Sequence, residues 1–318
     1  MKKNVKSIVT ILLVCSFVFS GIWYVTAKDK TKGEFTQVFA FGDSFSDNGE
    51  AKKISTEIVH SKDCPDGAYI KPSDELYWND RYSNGPTAVE VLAKKLDLNL
   101  TNYATGGATT GKENYSNWMD HLGYTGVLGQ IEKFEKSLNG AKADPDALYF
   151  IFASGNDYFL FMDYSHPGKI EDVADKAVEN INTAVEKLSK LGAKNFFVVN
   201  SSDLSLVPYE IANNRTDSSK AFMERVNKNL PESMNNLQND LNVSIMLFDI
   251  TKVSDNIIKN PQKYGLVELS KECQSTYPKV KPAHENPDQY FFWDEWHPGR
   301  VAHKIFGEEM YNELKNFK

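Results

Sequence analysis

Cysteine is scarce in this 318-residue sequence: Cys15, Cys64 and Cys273 are the whole complement, with no CxxC pair and no Cys/His cluster. No structural zinc site fits that pattern, so no metal is expected. Internal repeats, low-complexity segments and Pro/Ser/Gly linkers are missing too, which favours one large domain over a string of modules. Basic charge is also short, 36 Lys and Arg facing 43 Asp and Glu. An acidic chain is a poor partner for nucleic acid, or for anionic lipid through charge alone. The G-x-S-x-G nucleophile elbow is absent, which argues against the common α/β-hydrolase arrangement. Gly106 to Lys112 fits the G-x-x-x-x-G-K of a phosphate loop, but Glu113 stands where Ser or Thr would bind Mg²⁺. Nucleotide chemistry is set aside.

Residues 1–27 have the pattern of an export signal. Lys2, Lys3 and Lys6 precede an apolar run from Ile8 to Tyr24, and Val25-Thr26-Ala27 supplies a small-residue cleavage site. The run is long for a signal core and short for a membrane span, so an uncleaved N-terminal anchor is the alternative. Bulky Val14 before Cys15 argues against lipid attachment there. Cleavage removes three lysines and no acid, leaving 33 basic against 43 acidic side chains, a balance of −10, in residues 28–318. The expectation is a secreted or periplasmic protein whose residues 28–318 form one domain. Cys64 and Cys273, the two cysteines left, would sit in an oxidising compartment and are candidates for a disulfide.

Five apolar runs read as buried strands: Gln37–Phe41, Leu98–Tyr103, Ala147–Ala153, Phe196–Val199 and Ser244–Phe248. Helical stretches alternate with them. The clearest is Ile170–Leu188, where Ala174, Ala177, Val178, Ile181, Ala184 and Val185 keep the i, i+3, i+4 spacing until Gly192 stops it. Other helices are expected over Asp47–Val59, from Asn84-Gly85-Pro86 to Leu96, over Leu128–Leu138 and Ser218–Leu241, and from Pro298 to Leu314. Asp63–Asn84, Thr105–Gly126 and Pro261–Gln289 read as irregular, and loops this long are more often functional than idle. Strand and helix in alternation predict a three-layer α/β/α sandwich on a five-stranded parallel sheet.

Four polar clusters fall at ends of these elements. Gly42-Asp43-Ser44 follows the first strand, which puts Ser44 on the rim of the sheet, where open α/β sheets bind ligands. Ser46 is its rival but reads better as a helix cap. Asn102-Tyr103-Ala104-Thr105-Gly106-Gly107 follows the second strand, and its glycines let backbone N–H groups approach a ligand. Ser154-Gly155-Asn156-Asp157 follows the third, where the Asn156 amide could donate to an oxyanion. Asp294-Glu295-Trp296-His297-Pro298 precedes the last helix, with Asp294 three residues before His297 and able to orient its ring. Taken singly these are an ordinary turn, a Gly-rich loop, an Asn-Asp turn and a capping histidine. Together they supply nucleophile, base, orienter and anion donors.

In this order the clusters resemble the GDSL (SGNH) ester hydrolases. Arg81-Tyr82-Ser83-Asn84-Gly85-Pro86 is similar to a further segment that many members carry, and the likeness runs from Val38 to the final helix. The resemblance implies a flavodoxin-like three-layer fold, no cofactor, and a serine mechanism with Ser44 as nucleophile, His297 as base and Asp294 as orienter. It implies an oxyanion hole of the Ser44 and Gly107 amides and the Asn156 side chain, with Gly106 the alternative to Gly107. Ser154 departs from the family's glycine at that position, and Glu295 has no matching place in the motif.

The pattern is similar to secreted phospholipase A, lysophospholipase and lipid acyltransferase members, which implies a phospholipid or lysophospholipid ester as substrate and transient contact with a membrane or micelle surface. Phe159 and Phe161, just beyond Asn156, and Phe292 and Trp293, just before Asp294, are candidates to line an acyl-chain pocket, unless they simply finish the core. A short-chain carbohydrate or aryl esterase is the alternative enzyme. An exported lipid- or glycan-binding protein with an inactive site is the alternative outside enzymes.

Overall fold

A computed structural model describes residues 35–316, so the export-signal reading of residues 1–27 lies outside the described chain. Five strands, β1 (Val38–Gly42), β2 (Leu100–Asn102), β3 (Leu148–Phe152), β4 (Asn195–Val199) and β5 (Ser244–Phe248), form one sheet in the order β2-β1-β3-β4-β5. Every pairing in it is parallel. Parallel strands need crossovers, which cover both faces and require apolar side chains on each. The sequence meets that demand at β3, Leu-Tyr-Phe-Ile-Phe, where all five residues are buried. β2 is the short edge strand and has no fully buried residue.

The helices are α1 (Glu50–Val59), α2 (Ala88–Leu96), α3 (Val127–Ser137), α4 (Gly155–Asp163), α5 (Ile170–Leu191), α6 (Pro208–Ala212), α7 (Thr216–Leu241), α8 (Ile250–Lys259) and α9 (Arg300–Asn316). α5 packs between α3 and α7, while α9 packs on α2 and α8, so helices form a layer on either side of the sheet. This is the three-layer arrangement that the alternation of elements predicts, with the flavodoxin-like strand order that the resemblance implies. β6 (Glu268–Glu272) and β7 (Tyr290–Phe292) pair in a separate two-stranded sheet inside and beside the stretch expected to be irregular. α4, α6 and α8 lie outside the expected helices. α4 begins where an Asn-Asp turn is the natural local reading.

Several boundaries are set by capping chemistry that the expected ones missed. α2 starts at Ala88, not near Pro86, because Thr87 and Glu90 form a reciprocal capping box. Ser46 caps nothing. The first turn of α1 is held by Asp47, whose carboxylate accepts from the amides of Gly49, Glu50 and Ala51 at 2.8, 2.8 and 3.1 Å. The expected disulfide is not formed: Cys64 is an exposed free thiol and Cys273 a buried one. Cys273 is fixed instead by the small sheet, its amide donating to the Phe292 carbonyl at 3.0 Å.

The strand order places a topological switch point between β2-β1 on one side and β3-β4-β5 on the other. Ser44, Gly107 and Asn156 all lie just past the carboxyl ends of β1, β2 and β3. The crevice at that edge is where the sheet leaves room for a ligand.

Candidate active site

Gly42 closes β1 directly against β3. A Cβ there would stand 2.3 Å from the Phe152 carbonyl oxygen, so only glycine allows the two strand ends to meet. The buried Gln130 amide then clamps the turn, accepting from the Gly42 N–H at 2.9 Å and donating to its carbonyl at 2.8 Å. Asp43 accepts from the Phe45 amide at 3.0 Å. Burial, which outweighs that bond, pushes the Asp43 carboxyl up to about 7. The turn delivers Ser44 into a cavity of about 430 Å³.

His297 reaches the same cavity from the turn before α9. Its Nε2 lies 2.8 Å from Ser44 Oγ, and its Nδ1 lies 2.9 and 2.8 Å from the two oxygens of Asp294. With Nδ1 protonated and donating to the carboxylate, Nε2 accepts from the serine hydroxyl. Asp294 is fully buried, and it also accepts from the amides of Trp296 and His297 at 2.8 and 2.7 Å. A fourth donor is the Tyr77 hydroxyl, 2.6 Å from Oδ2. Burial alone would raise the Asp294 carboxyl, but the charge of His297 and these hydrogen bonds overcome it and hold the group below the usual carboxylate range.

The anion donors are assembled by two other aspartates. Asp47 accepts from the Gly106 amide at 2.7 Å, which commits that N–H. Gly107 follows with φ +86°, and its Cβ would stand 2.4 Å from Asn114 Oδ1, so glycine is required on both counts. Gly107 lines the cavity, and neither its amide nor that of Ser44 donates to a protein group among the described residues. Asp157 accepts from the Thr110 amide and hydroxyl at 2.8 and 2.6 Å, tying the first turn of α4 to the same glycine loop. Asn156 Nδ2 spends one hydrogen on the Ala108 carbonyl at 3.0 Å, leaving the second for a ligand. Ser154, the departure from the family pattern, sits at φ −177°, extended backbone open to any residue, and donates to Ser201 Oγ at 2.9 Å.

The cavity wall is aromatic, but not as expected. Phe159 lines it, whereas Phe161, Phe292 and Trp293 do not. Phe292 is buried in β7, and Trp293 is buried with its indole N–H donating to the Leu76 carbonyl at 3.0 Å. Strand β7 turns its side chains into the core, so the residue that reaches the cavity from this block is Trp296, beside His297. Trp296 packs on Tyr209 with ring centres 4.8 Å apart, and Tyr277 completes that wall. Glu295, without a place in the motif, is buried and accepts four hydrogen bonds from Ser275, Thr276 and Tyr277, holding their loop over the site. Tyr77 was signalled only by its place in a long, aromatic-dotted polar loop.

A doubly wound parallel sheet with Ser, His and Asp hydrogen-bonded in line at its switch point is the frame of a serine hydrolase. The chain belongs to the GDSL-like lipase/acylhydrolase family, which matches residues 38–310. It is 22% identical to GDSL esterase/lipase 7 of Arabidopsis thaliana, with 96% of each chain covered. It is 25% identical to GDSL esterase/lipase 3 of the same plant, covering 88% of this chain and 86% of that one. Among solved structures, the native aryl esterase of M. smegmatis aligns at 14% identity and a TM-score of 0.47, with 89% of this chain and 100% of that one covered. Family membership assigns the chain to the serine ester hydrolases.

Proposed function

We propose that the protein hydrolyses long-chain lipid carboxylic esters, lysophospholipids and phospholipids foremost, through Ser44, His297 and Asp294. The observation that carries this reading is the unbroken Asp294–His297–Ser44 line opening into an aromatic-walled cavity. Ser44 Oγ attacks the ester carbonyl carbon as its proton passes to His297 Nε2. The oxyanion is held by the amides of Ser44 and Gly107 and the free hydrogen on Asn156 Nδ2. Collapse breaks the bond to the alcohol oxygen, which takes the proton from His297 and leaves an acyl-serine. Water, activated by the same nitrogen, then releases the fatty acid and restores Ser44. An acceptor alcohol in place of that water gives acyl transfer.

Phe159, Leu204, Trp296 and Tyr277 supply apolar surface that a long acyl chain can cover, at about 0.8 kcal/mol for each CH₂ buried. An acetyl group cannot use it. The test is kcat/KM on lysophosphatidylcholine against acetyl and aryl esters, with fluorophosphonate labelling of the wild type and of Ser44→Ala. Labelling that depends on Ser44 and faster turnover of the long-chain ester are expected. A preference for acetylated sugars would replace the lipid reading with a short-chain esterase, and an unlabelled wild type would make the protein a binding module. Export with cleavage after Ala27 belongs to the same reading, and N-terminal sequencing of the mature protein tests it.

A further inference from the structure

One cation is buried in the cavity without a counter-ion. Lys71 comes from the long loop after α1, and its backbone is clamped there by Ser55, whose hydroxyl accepts from the Lys71 amide at 3.1 Å and reaches its carbonyl at 3.2 Å. The residue is 9% exposed, and among the described residues it is the one Lys or Arg on the wall of the cavity that holds Ser44. An ammonium carries three donors. Lys71 Nζ uses one on Ser116 Oγ at 3.1 Å, and its charge lies 5.2 Å from the centre of the Trp118 ring.

No carboxylate of the described residues makes an ion pair with it. Asp47 and Asp120 act on it only through space, and both are committed to backbone amides: Asp47 to the turn into α1 and to Gly106, Asp120 to Asn114 and Thr125. Burial pulls the ammonium down to about 8, so it is still cationic at neutral pH. A desolvated charge with unspent donors is unfavourable until an anion enters. Ser116 accepts from Lys71 and therefore has its own proton to give.

We propose that Lys71 and Ser116 form an anion subsite that holds the phosphate on the alcohol portion of the substrate. Two unspent N–H donors and one hydroxyl match the non-bridging oxygens of a phosphodiester. Phosphate-bearing esters are then turned over in preference to neutral esters of the same acyl chain. The place of this subsite in turnover rests on the lipid-ester reading above, but its binding chemistry does not.

Binding is measured calorimetrically in a Ser44→Ala background with two ether lipids below their micelle concentrations, a 1-O-alkyl-glycerophosphocholine and the 1-O-alkyl-glycerol of equal chain length. Adding Lys71→Met should weaken the phosphate-bearing ligand at least tenfold and the neutral one less than twofold. Ser116→Ala, which leaves the cation in place, should give a smaller loss on the phosphate-bearing ligand alone. Equal weakening of both ligands, or of neither, overturns the subsite. Should neither ether lipid bind the Ser44→Ala protein, the lipid reading falls while the subsite is read separately. In that case inorganic phosphate should inhibit hydrolysis of a short aryl ester by the wild type, with an inhibition constant at least tenfold weaker in Lys71→Met. Unchanged inhibition rejects the subsite.

Discussion

Asp294 is where the polar contacts of the site converge, and its partners rank the residues around it. The Tyr77 hydroxyl donates to it from 217 positions away, and a hydrogen bond to a buried carboxylate is worth more than a neutral one. Tyr77→Phe should lower kcat about tenfold by loosening the carboxylate that orients His297, with KM nearly unchanged, in steady-state kinetics on any accepted ester. A normal kcat would reduce Tyr77 to packing. In the proposed mechanism Asn156 acts in the same step, on the oxyanion that develops as Ser44 attacks and that the bound ester lacks. Asn156→Ala should therefore cost about 10²–10³ in kcat. A raised KM with normal kcat would show that the amide only binds substrate. Glu295 and Asp294 are adjacent carboxylates with different tasks, one holding the 275–277 loop and the other the histidine. Their hydrogen-bond partners separate them, as no local pattern does.

Among the helices, α2 and α9 are joined by a buried histidine. His303 on α9 accepts from the Ala88 amide, at the first residue of α2, through Nδ1 at 3.3 Å. Burial, and after it the charge of His297, lowers its pKa from 6.5 to about 3. A histidine depressed in the fold contributes stability that is whole above the unfolded value, near 6.5, and is lost as pH falls toward 3. The loss amounts to about 1.4 kcal/mol per pH unit. Asp43, Asp47 and Asp157, raised by burial to about 7, 6 and 6, act with the opposite sign over that window. The readout is thus the difference between proteins. Urea denaturation between pH 7 and pH 5 should show wild-type stability falling relative to His303→Gln. Parallel pH profiles would mean that His303 is not held neutral.

Across the molecule, packing decides which aromatic residues face the cavity, and the proposed acyl-chain preference rests on them. Phe159 and Trp296 face it from α4, midway along the sequence, and from the turn before α9, and both pack on Tyr209. Phe159→Ser with Trp296→Ala should narrow the preference for long acyl chains, by up to about tenfold in the ratio of long- to short-ester kcat/KM, while short-ester turnover persists. Equal loss on both substrates would assign these side chains to the core.

The central sheet is legible in the sequence because parallel strands covered on both faces must be continuous apolar runs, and each of the five runs falls within a few residues of an observed strand. The short motifs are legible for a related reason. Each follows a strand or precedes a helix, so a local break in hydrophobicity marks it. Asp294 and His297 are three residues apart and meet across one turn. What no local signal carries is long-range pairing. Tyr77 with Asp294, Lys71 with Ser116, and the failure of Cys64 to meet Cys273 depend on how long irregular loops fold back over the sheet. The fate of Phe292 and Trp293 depends on a second small sheet that turns them inward. Periodicity governs elements that repeat. Loops do not repeat, so their side chains are placed by packing against the finished sheet, and there the tertiary structure alone decides.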